Sequence, residues 1–283
     1  MSLYDAIKSR VSIRKYEDKL LDQETIKWFE QRLKSCLTLY GNINTRLELI
    51  TDSKTVEELR IGFLFGYAKI NAPHCIVAIT EDAPGCMENI GFIQEQVVLE
   101  AAERGIGTCW LGTYNSDKAR QFLNLKENEF VVNMIALGYP QVNNSFLNNG
   151  FRKLAGASKR KKVKEIAFYN GWDRDITECI QQYPCIGRIL EMSILAPSAN
   201  NAQPVRAVVT DNSVAFFTKN KASSNKYKDV SMLDAGIFIS HFYLSCQSEG
   251  LAPEFYQEPD SASKYNVPSD FTYVISQKVK LHK

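Results

Sequence analysis

Apolar residues recur at helical spacing in several stretches of the chain, and short runs of consecutive apolar residues lie between these stretches. From the helical spacing, helices are predicted at 2–7, 22–39 and 90–104. From the apolar runs, strands are predicted at 47–51, 75–79 and 131–138. Ser2 followed three residues later by Asp5 is typical of a capping box, and Gly105 marks the end of the third helix. The first half of the chain is therefore predicted to mix helices and strands.

The second half repeats this succession. Each half carries two glycines fourteen residues apart, which are Gly91 and Gly105 in the first and Gly236 and Gly250 in the second. Between the halves, residues 141–164 are rich first in asparagine and then in basic residues, which is typical of a connecting segment. We therefore expect two domains, 1–150 and 151–283, related by internal duplication. A chance similarity between two stretches of helices and strands is the alternative.

Composition narrows the class of protein. The chain has 283 residues, of which 45% are hydrophobic, and this suits a soluble globular protein with a substantial core. The formal net charge of +2 is close to neutral, so neither nucleic acid nor a membrane surface is expected as a partner. We find no signal-peptide pattern and no apolar run of bilayer length, so we expect a cytoplasmic protein.

Cysteines and histidines indicate neither a disulfide framework nor a metal site. The seven cysteines are scattered without a Cys-x-x-Cys pair, which is typical of reduced thiols. The three histidines have no cysteine or carboxylate at ligand spacing, so no metal is predicted. We interpret Cys109 and His241, which both lie among apolar residues, as packed core residues rather than redox or acid–base groups.

Two segments carry candidate binding chemistry. Near the N-terminus, Arg10, Ser12 and Arg14 place two guanidinium groups and a hydroxyl at alternating positions, which suits a phosphate. Far downstream, residues 196–204 combine one hydroxyl and three amides with little bulk between two prolines, which suits a flat polar heterocycle. Together they indicate a phosphorylated cofactor with a hydrogen-bonding ring, bound by residues of both halves.

Each half has lost the element that the other keeps. Opposite Pro197 and Ser198, the first half has Thr38 and Leu39. Opposite Arg10, Ser12 and Arg14, the second half has Tyr169, Gly171 and Asp173. An aspartate in that position would repel a phosphate. The sequence therefore predicts one intact site and one degenerate site.

Four segments in this order resemble the nitroreductase family of flavoproteins, and in particular a subfamily in which two nitroreductase-like halves are fused. The segments are 10–14, 105–112, 197–204 and 233–242. The resemblance covers nearly the whole chain. It implies an α+β fold, a three-layer α/β/α arrangement with mixed sheets, in which the two tandem halves form a pseudo-dimer within one chain. The chain would then act as a monomer that is its own dimer.

The resemblance also implies a cofactor and its ligands. FMN would be bound with its phosphate on Arg10, Ser12 and Arg14, and Arg160 matches a basic residue that closes over the phosphate. The segment Trp110, Leu111 and Gly112 would offer a backbone N–H to the flavin, and Pro197, Ser198 and Asn201 would line the ring. The rest of the run Lys159–Lys162 is interpreted as solvated charge.

The implied activity is that of an NAD(P)H-dependent flavin oxidoreductase. Electrons would pass from NADH or NADPH through the flavin to an electron-poor small molecule, nitroaromatic or quinone-like, and no protein side chain would act as a catalytic nucleophile. Val205 and Leu111 depart from residues common in the family, and both departures concern the substrate side. The alternative is a non-catalytic flavin carrier or sensor with a plugged substrate face. A third reading, a relic without cofactor, is disfavoured by the intact segment 197–204.

Overall fold

Two sheets organise the chain, each inside its own compact unit. The computed structural model describes residues 2–59, 70–112, 114–141, 159–219 and 230–281. The first unit comprises Met1–Cys86 with Gln96–Lys153, and the second comprises Met87–Glu95 with Leu154–Lys283. The predicted domain boundary at residue 150 lies outside the described residues. The stretch 87–95 joins the second unit, which the division at residue 150 does not anticipate.

The first unit is a four-stranded antiparallel sheet with helices on both faces. Its strands are β1 (Thr45–Ile50), β2 (His74–Glu81), β3 (Gly107–Leu111) and β4 (Glu129–Gly138), in the spatial order β1-β2-β4-β3. Its helices are α1 (Leu3–Ser9), α2 (Gln23–Arg32), α3 (Ser53–Leu59), the end of α4 (Cys86–Glu103) and α5 (Ser116–Phe122). Because strand side chains alternate between faces, Cys75 and Val77 pack with α3 and α5, and Ile76 packs with α2 and α4.

The second unit contains a five-stranded mixed sheet. Its strands are β5 (Ala167–Tyr169), β6 (Val205–Val209), β7 (Ser213–Lys219), β8 (Glu254–Tyr256) and β9 (Phe271–Lys278), in the order β5-β6-β7-β9-β8. Only the β5–β6 pairing is parallel. Its helices are α6 (Val163–Ile166), α7 (Thr177–Gln182), α8 (Pro184–Ser193), α9 (Ser231–Ser248) and α10 (Ser261–Lys264). The α+β fold with helices against sheets is confirmed.

The two sheets share a strand order. The order β6-β7-β9-β8 in the second sheet matches the order β1-β2-β4-β3 in the first. An 18-residue helix follows the second strand of each order, α4 after β2 and α9 after β7. The second strand of each order also shows a register shift in its pairing with the third strand. The shift lies between Ala78 and Ile79 in β2 and between Phe216 and Phe217 in β7. Each long helix ends before a glycine with positive φ, Gly105 or Gly250.

The beginning of α4 and the middle of α9 approach closely within the second unit. A Cβ added to Gly91 would collide with the carbonyl oxygen of Leu233, and one added to Gly236 would collide with that of Glu88. The contact is reciprocal, because each glycine packs on the backbone one turn before the other glycine. Only glycine permits this distance between the two helix backbones.

Most predicted elements are confirmed within a few residues, and two expectations are wrong. The capping box of Ser2 and Asp5 is present. The helix predicted at 22–39 ends at Arg32. Further along, the backbone N–H and C=O of Leu37 bond to the side chain of Gln96 instead of to helix neighbours.

The predicted equivalence between Arg10–Arg14 and Tyr169–Asp173 is the second error. Ser12 forms a bridge to β3, whereas Tyr169 lies in β5 beside β6. β3 and β6 occupy opposite edges of the shared strand order. Backbone pairing selects the edge, and a constant offset in sequence cannot show it. Within the described residues, no helix combines the length and apolar character needed to cross a bilayer.

Candidate functional site

The N-terminal segment runs alongside strand β3. Ser12 pairs with Thr108 in a parallel bridge, and the N–H of Ile13 donates to the Thr108 carbonyl at 2.8 Å. The approach is close because Gly107 has no side chain: a Cβ there would lie 2.9 Å from Cγ1 of Ile13. The pairing continues at Tyr16, which bridges to Pro140. The segment that carries Arg10, Ser12 and Arg14 is thereby fixed to the edge of the sheet.

The two arginines act electrostatically on one buried group. Burial raises the pKa of the Cys109 thiol, while the Arg14 and Arg10 guanidinium groups and a hydrogen bond from Ser12 oppose that rise. Burial likewise raises the pKa of Tyr16, and Arg14 opposes it. Both charged groups that act on Cys109 are therefore cationic, and they stand beside a hydroxyl. Such a set of donors can bind an anion.

The remaining predicted residues of the first unit lie at the end of β3. The side chain of Leu111 is buried in the core formed with α3 and α5, and Trp110 packs on the opposite face of the sheet. Gly112 is exposed. Since the Leu111 side chain is committed to the core, only the backbone of this residue can face a ligand. Segment 10–14 thus pairs with β3 at Thr108, and residues 110 and 111 lie further along the same strand.

In the second unit, the predicted ring-binding residues form a tight loop between α8 and β6, which we call the pocket loop (194–204). Ala199–Asn201 is a single 3₁₀ turn. Asn200, Asn201 and Gln203 all have φ between 48° and 53°. Asparagine tolerates this left-handed region better than most residues, which explains the two consecutive asparagines. The Oγ of Ser198 accepts a hydrogen bond from the Gln203 N–H at 2.9 Å and closes the loop.

A second segment binds this loop. Arg160 donates from Nη1 to the Ala196 carbonyl and to Oδ1 of Asn201, both at 2.9 Å, and from Nη2 to the Leu195 carbonyl at 3.0 Å. Nδ2 of Asn201 donates to the Lys159 carbonyl at 3.0 Å. Arg160 and Asn201 were predicted as ligands in separate roles. In the structure they lie in contact and hold the loop in place.

Cations gather at the far end of the pocket loop. Burial lowers the pKa of Lys161, and the neighbouring Arg206 guanidinium lowers it further. Burial also lowers the pKa of Arg206, whose Nη1 donates to the Val205 carbonyl at 2.7 Å. The ammonium of Lys161 lies 3.5 Å from the Gln203 carbonyl oxygen. This end of the loop therefore carries positive charge that is only partly solvated.

A pocket lies between the loop and helix α9. Its space, including the part open to solvent, is about 310 Å³. Its walls are largely apolar, and Ser198, Gln203 and Asp234 provide the polar part. The buried Asp234 carboxylate accepts from the Ala199 N–H at 3.0 and 3.2 Å, and Phe238 forms the wall one turn further along α9. Pro197 and Ser198 therefore line a pocket, and their role as ring ligands stays a prediction.

Sequence reasoning missed Asp234 and Phe238 as site residues. Asp234 is the one carboxylate in the largely apolar run 231–246 and was a usable signal, because a buried charge needs hydrogen-bonding partners. Among the described residues, no group of three or more His, Cys, Asp or Glu side chains is arranged to hold a metal ion.

Comparisons with known proteins agree with one another. A family model described as putative TM nitroreductase matches residues 2–246. A putative NADH dehydrogenase/NAD(P)H nitroreductase of Archaeoglobus fulgidus is 27% identical over 153 residues, which are 50% of this chain and 86% of the relative. The crystal structure of a putative nitroreductase from Thermotoga maritima aligns over 100% of this chain and 95% of its own, at 20% identity and a TM-score of 0.63. A Bacteroides fragilis nitroreductase crystallised with bound FMN aligns over 50% of this chain and 90% of its own, at 19% identity and a TM-score of 0.43.

Proposed function

The chain belongs to the putative TM nitroreductase family and is an oxidoreductase, and from this premise we propose that it binds FMN and uses NADH or NADPH to reduce a small electron-poor molecule. The acceptor is proposed to be nitroaromatic or quinone-like. FMN, when bound, supplies the redox chemistry, because its ring accepts a hydride from the nicotinamide and passes the electrons on to the acceptor. The protein's task is then to bind, orient and tune.

One observation carries the proposal: the segment of Arg10, Ser12 and Arg14 is hydrogen-bonded to Thr108 near the start of β3, the strand that leads to residues 110–112. A phosphate would bind to the two guanidinium groups and the hydroxyl through charge-assisted hydrogen bonds. A ring attached to it would then meet the backbone at Leu111 and Gly112. The donor set thus fits a phosphorylated ligand.

The pocket loop fits the ring part of the same ligand. Its apolar walls suit an aromatic surface, and Ser198 adds a hydroxyl to the lining. Pro197, Ser198 and Asn201 are proposed to contact the ring. Arg160 is proposed as a further phosphate ligand, in addition to the three bonds by which it fixes the loop. Hydrogen bonds among the polar groups of the pocket loop and Arg160 already hold these groups in place. Binding of FMN therefore requires little further ordering of the loop.

We further propose that the two halves arose by duplication and together bind one FMN, so that the chain works as a monomer. The shared strand order, the equal lengths of α4 and α9 and the matching register shifts support the duplication. Three of the proposed phosphate ligands, Arg10, Ser12 and Arg14, come from the first half, whereas Arg160 and most of the proposed ring ligands come from the second. Sedimentation of the FMN-loaded protein as a monomer is the expected result, and an FMN stoichiometry that requires a dimer would contradict it.

The central test is FMN binding followed by reduction. We expect purified protein to bind FMN, measured by quenching of flavin fluorescence, and the flavin's visible absorbance to bleach when NADH or NADPH is added without oxygen. Arg10→Ala and Arg14→Ala should each weaken FMN binding about 10- to 100-fold, because each removes charge-assisted hydrogen bonds worth about 1.5–3 kcal/mol.

Lys15→Ala is the matched control, since it removes one positive charge from the same segment without touching the proposed ligands. It should change the FMN dissociation constant less than about threefold, as expected for a solvated charge. A protein that binds no FMN overturns the proposal. If the protein binds FMN but neither NADH nor NADPH bleaches the flavin absorbance, the protein is a flavin carrier and not an enzyme.

A further inference from the structure

His241 lies at the centre of a buried polar chain in the second unit. Its Nε2 is 2.8 Å from Oε1 of Glu95, and its Nδ1 is 3.2 Å from the carbonyl oxygen of Met192. The side chains of His241 and Glu95 are both fully buried. Met192 lies in the last turn of α8, immediately before the pocket loop. The expected role of His241 as a satisfied core residue is confirmed, but its partners are specific.

The chemistry of the three groups determines where hydrogens lie. The Met192 carbonyl oxygen can only accept, so Nδ1 of His241 carries a hydrogen. Nε2 then either donates a hydrogen bond to the Glu95 carboxylate or, without a hydrogen of its own, accepts one from the protonated Glu95 carboxyl. In both states the ring makes two hydrogen bonds and its orientation is fixed from both sides. A ring free to flip would lose the bond to Met192.

One face of α9 makes all of these contacts. Asp234, Phe238 and His241 are spaced four and three residues apart, which places them on one side of the helix. Asp234 binds the Ala199 N–H in the middle of the pocket loop, and Phe238 forms a wall of the pocket. His241 binds the chain where it enters the loop. The helix therefore holds the loop at two backbone points on either side of the pocket-lining residues Ala196 and Pro197.

We propose that His241 is a positioning residue for the pocket loop and that Glu95 orients its imidazole for that task. This inference rests on the proposed function in so far as the loop contacts FMN. Its structural part, that the ring tethers the loop through Met192, holds for the protein without FMN. A side chain that merely filled the core would contribute volume, and its two nitrogens would be interchangeable in their effect on the loop.

Two substitutions separate the two hydrogen bonds. The amide nitrogen of asparagine reaches about where Nδ1 of histidine lies, so His241→Asn keeps a donor for Met192 and loses the contact with Glu95. The amide nitrogen of glutamine reaches about where Nε2 lies, so His241→Gln keeps a donor for Glu95 and loses the tether to Met192. Both variants remove the ring, and asparagine is smaller than glutamine by one methylene. A loss of volume alone would therefore affect the protein more in His241→Asn, the opposite of the order expected for the loop.

The readout is amide hydrogen exchange of the pocket loop in FMN-free protein, with FMN affinity as a second measurement. His241→Gln should speed exchange at the Ala199 and Gln203 amides about fivefold and weaken FMN binding by a similar factor, the effect of losing one hydrogen bond. His241→Asn should leave loop exchange and FMN affinity within about twofold of the wild type. Its cost should appear in the thermal unfolding temperature, because the Glu95 carboxylate loses a buried partner.

Equal loop exchange in the two variants would overturn the inference, as would wild-type exchange in His241→Gln. If neither variant folds, Glu95→Ala and Glu95→Gln replace them. Glu95→Ala frees the ring and should speed loop exchange, whereas Glu95→Gln can still bond to Nε2 and should restore the wild-type rate; identical rates would again overturn the inference. A wild type that binds no FMN refutes the proposed function, while exchange in the FMN-free protein still decides the role of His241.

Discussion

Gln96 and His241 occupy equivalent positions in two 18-residue helices. Both side chains bind backbone groups of another segment, but through different hydrogen bonds. Each lies ten residues after the start of its helix, α4 at Cys86 and α9 at Ser231. The Gln96 amide binds both backbone groups of Leu37, donating to its carbonyl at 2.9 Å and accepting from its N–H at 3.2 Å. His241 binds a single carbonyl, that of Met192. In both units, the long helix anchors the segment that leads from a preceding helix to the first strand of the shared order.

The anchored segments differ in what they expose. In the first unit, Leu37 is 49% exposed although its backbone is fixed. In the second, Ala196 and Pro204 are buried, and the pocket loop turns sharply through residues with positive φ. The anchor from the helix is therefore common to both units, whereas the anchored loops differ in composition, and the loop of the second unit lines a pocket. Small residues, prolines and asparagines make one loop compact, and larger side chains keep the other open.

The largest expected effect tests the reciprocal glycine contact on which the comparison of α4 and α9 rests. Gly91→Ala and Gly236→Ala should each lower the free energy of unfolding by about 3 kcal/mol or more, because the new Cβ meets helix backbone that cannot turn aside. A Cβ at Gly236 would lie 2.7 Å from the Phe92 nitrogen, and one at Gly91 would lie 3.0 Å from that of Ile237. Urea unfolding measures both values.

Gly41→Ala is the control for these glycine variants. A Cβ at Gly41 would have its nearest neighbour, Oγ1 of Thr38, at 3.9 Å, so the change should stay within about 0.5 kcal/mol. The two helix variants should agree within about 1 kcal/mol if the contact is reciprocal in energy as well as in geometry. A large loss in one and none in the other would break the comparison.

How far the sequence predicted the fold depended on whether local signals decided the outcome. Capping residues, helical spacing and apolar runs are local, and they located α1, α4 and strands β1, β2 and β4 within a few residues. The end of α2 was missed, and beyond it the backbone of Leu37 bonds to Gln96, a residue more than fifty positions away. The edge at which Tyr169 pairs was also missed, since pairing between strands is not written in either strand alone.

The candidate site divides in the same way. Arg10, Ser12, Arg14 and Ser198 could be named from the sequence because their chemistry is local and their motifs are short. Asp234, Phe238 and His241 were not named as site residues, because their relevance comes from α9 packing against the pocket loop; for Asp234 alone, the isolated carboxylate was a signal in the sequence. The role of Arg160 in holding that loop was also hidden, since an arginine in a basic run looks solvated until its partners are known. The assignment of Arg10, Ser12, Arg14, Ser198 and Arg160 as FMN ligands stays a prediction.

An intermediate effect sharpens the difference between the two anchors. Gln96→Leu keeps the side-chain volume but removes the amide. Both backbone groups of Leu37 then lose their side-chain partner, and Arg32 loses one of its hydrogen bonds. We expect a loss of about 1–2 kcal/mol in the free energy of unfolding, since water reaches part of the exposed loop. FMN affinity should change less than about twofold, because this anchor serves a loop without proposed ligands.

Gln31→Leu provides the matched change at an exposed position of α2 and should have little effect on the free energy of unfolding. Weaker FMN binding in Gln96→Leu, of the size expected for His241→Gln, would mean that both anchors serve the same site. The comparison between an anchored open loop and an anchored pocket would then fail.

The smallest expected effect concerns the N-termini of α2 and α8, the helices that precede the two anchored segments, because these helices begin differently. Asp22 caps α2, accepting from the Thr25 N–H at 2.7 Å and from the Tyr139 hydroxyl at 2.7 Å. These bonds, the backbone bond from Thr25 foremost, lower the pKa of Asp22 from 3.8 to about 2. α8 begins at Pro184 after Tyr183, which makes no side-chain cap bond. Of these two helices, α2 alone therefore has an acid-sensitive start of this kind.

Because the folded pKa of Asp22 is depressed, its contribution to stability is present above the unfolded value near 4 and is lost as the pH falls through about 2. Amide exchange, normalised to the intrinsic rate at each pH, should show α2 losing protection in that window before α8 does. Asp22→Asn can still cap through its side-chain oxygen but does not titrate, so α2 in this variant should have a flatter acid profile. If α2 loses protection at the same pH in the wild type and in Asp22→Asn, the cap is not the source of the acid sensitivity, and the two helices differ only in sequence and not in how they respond to pH.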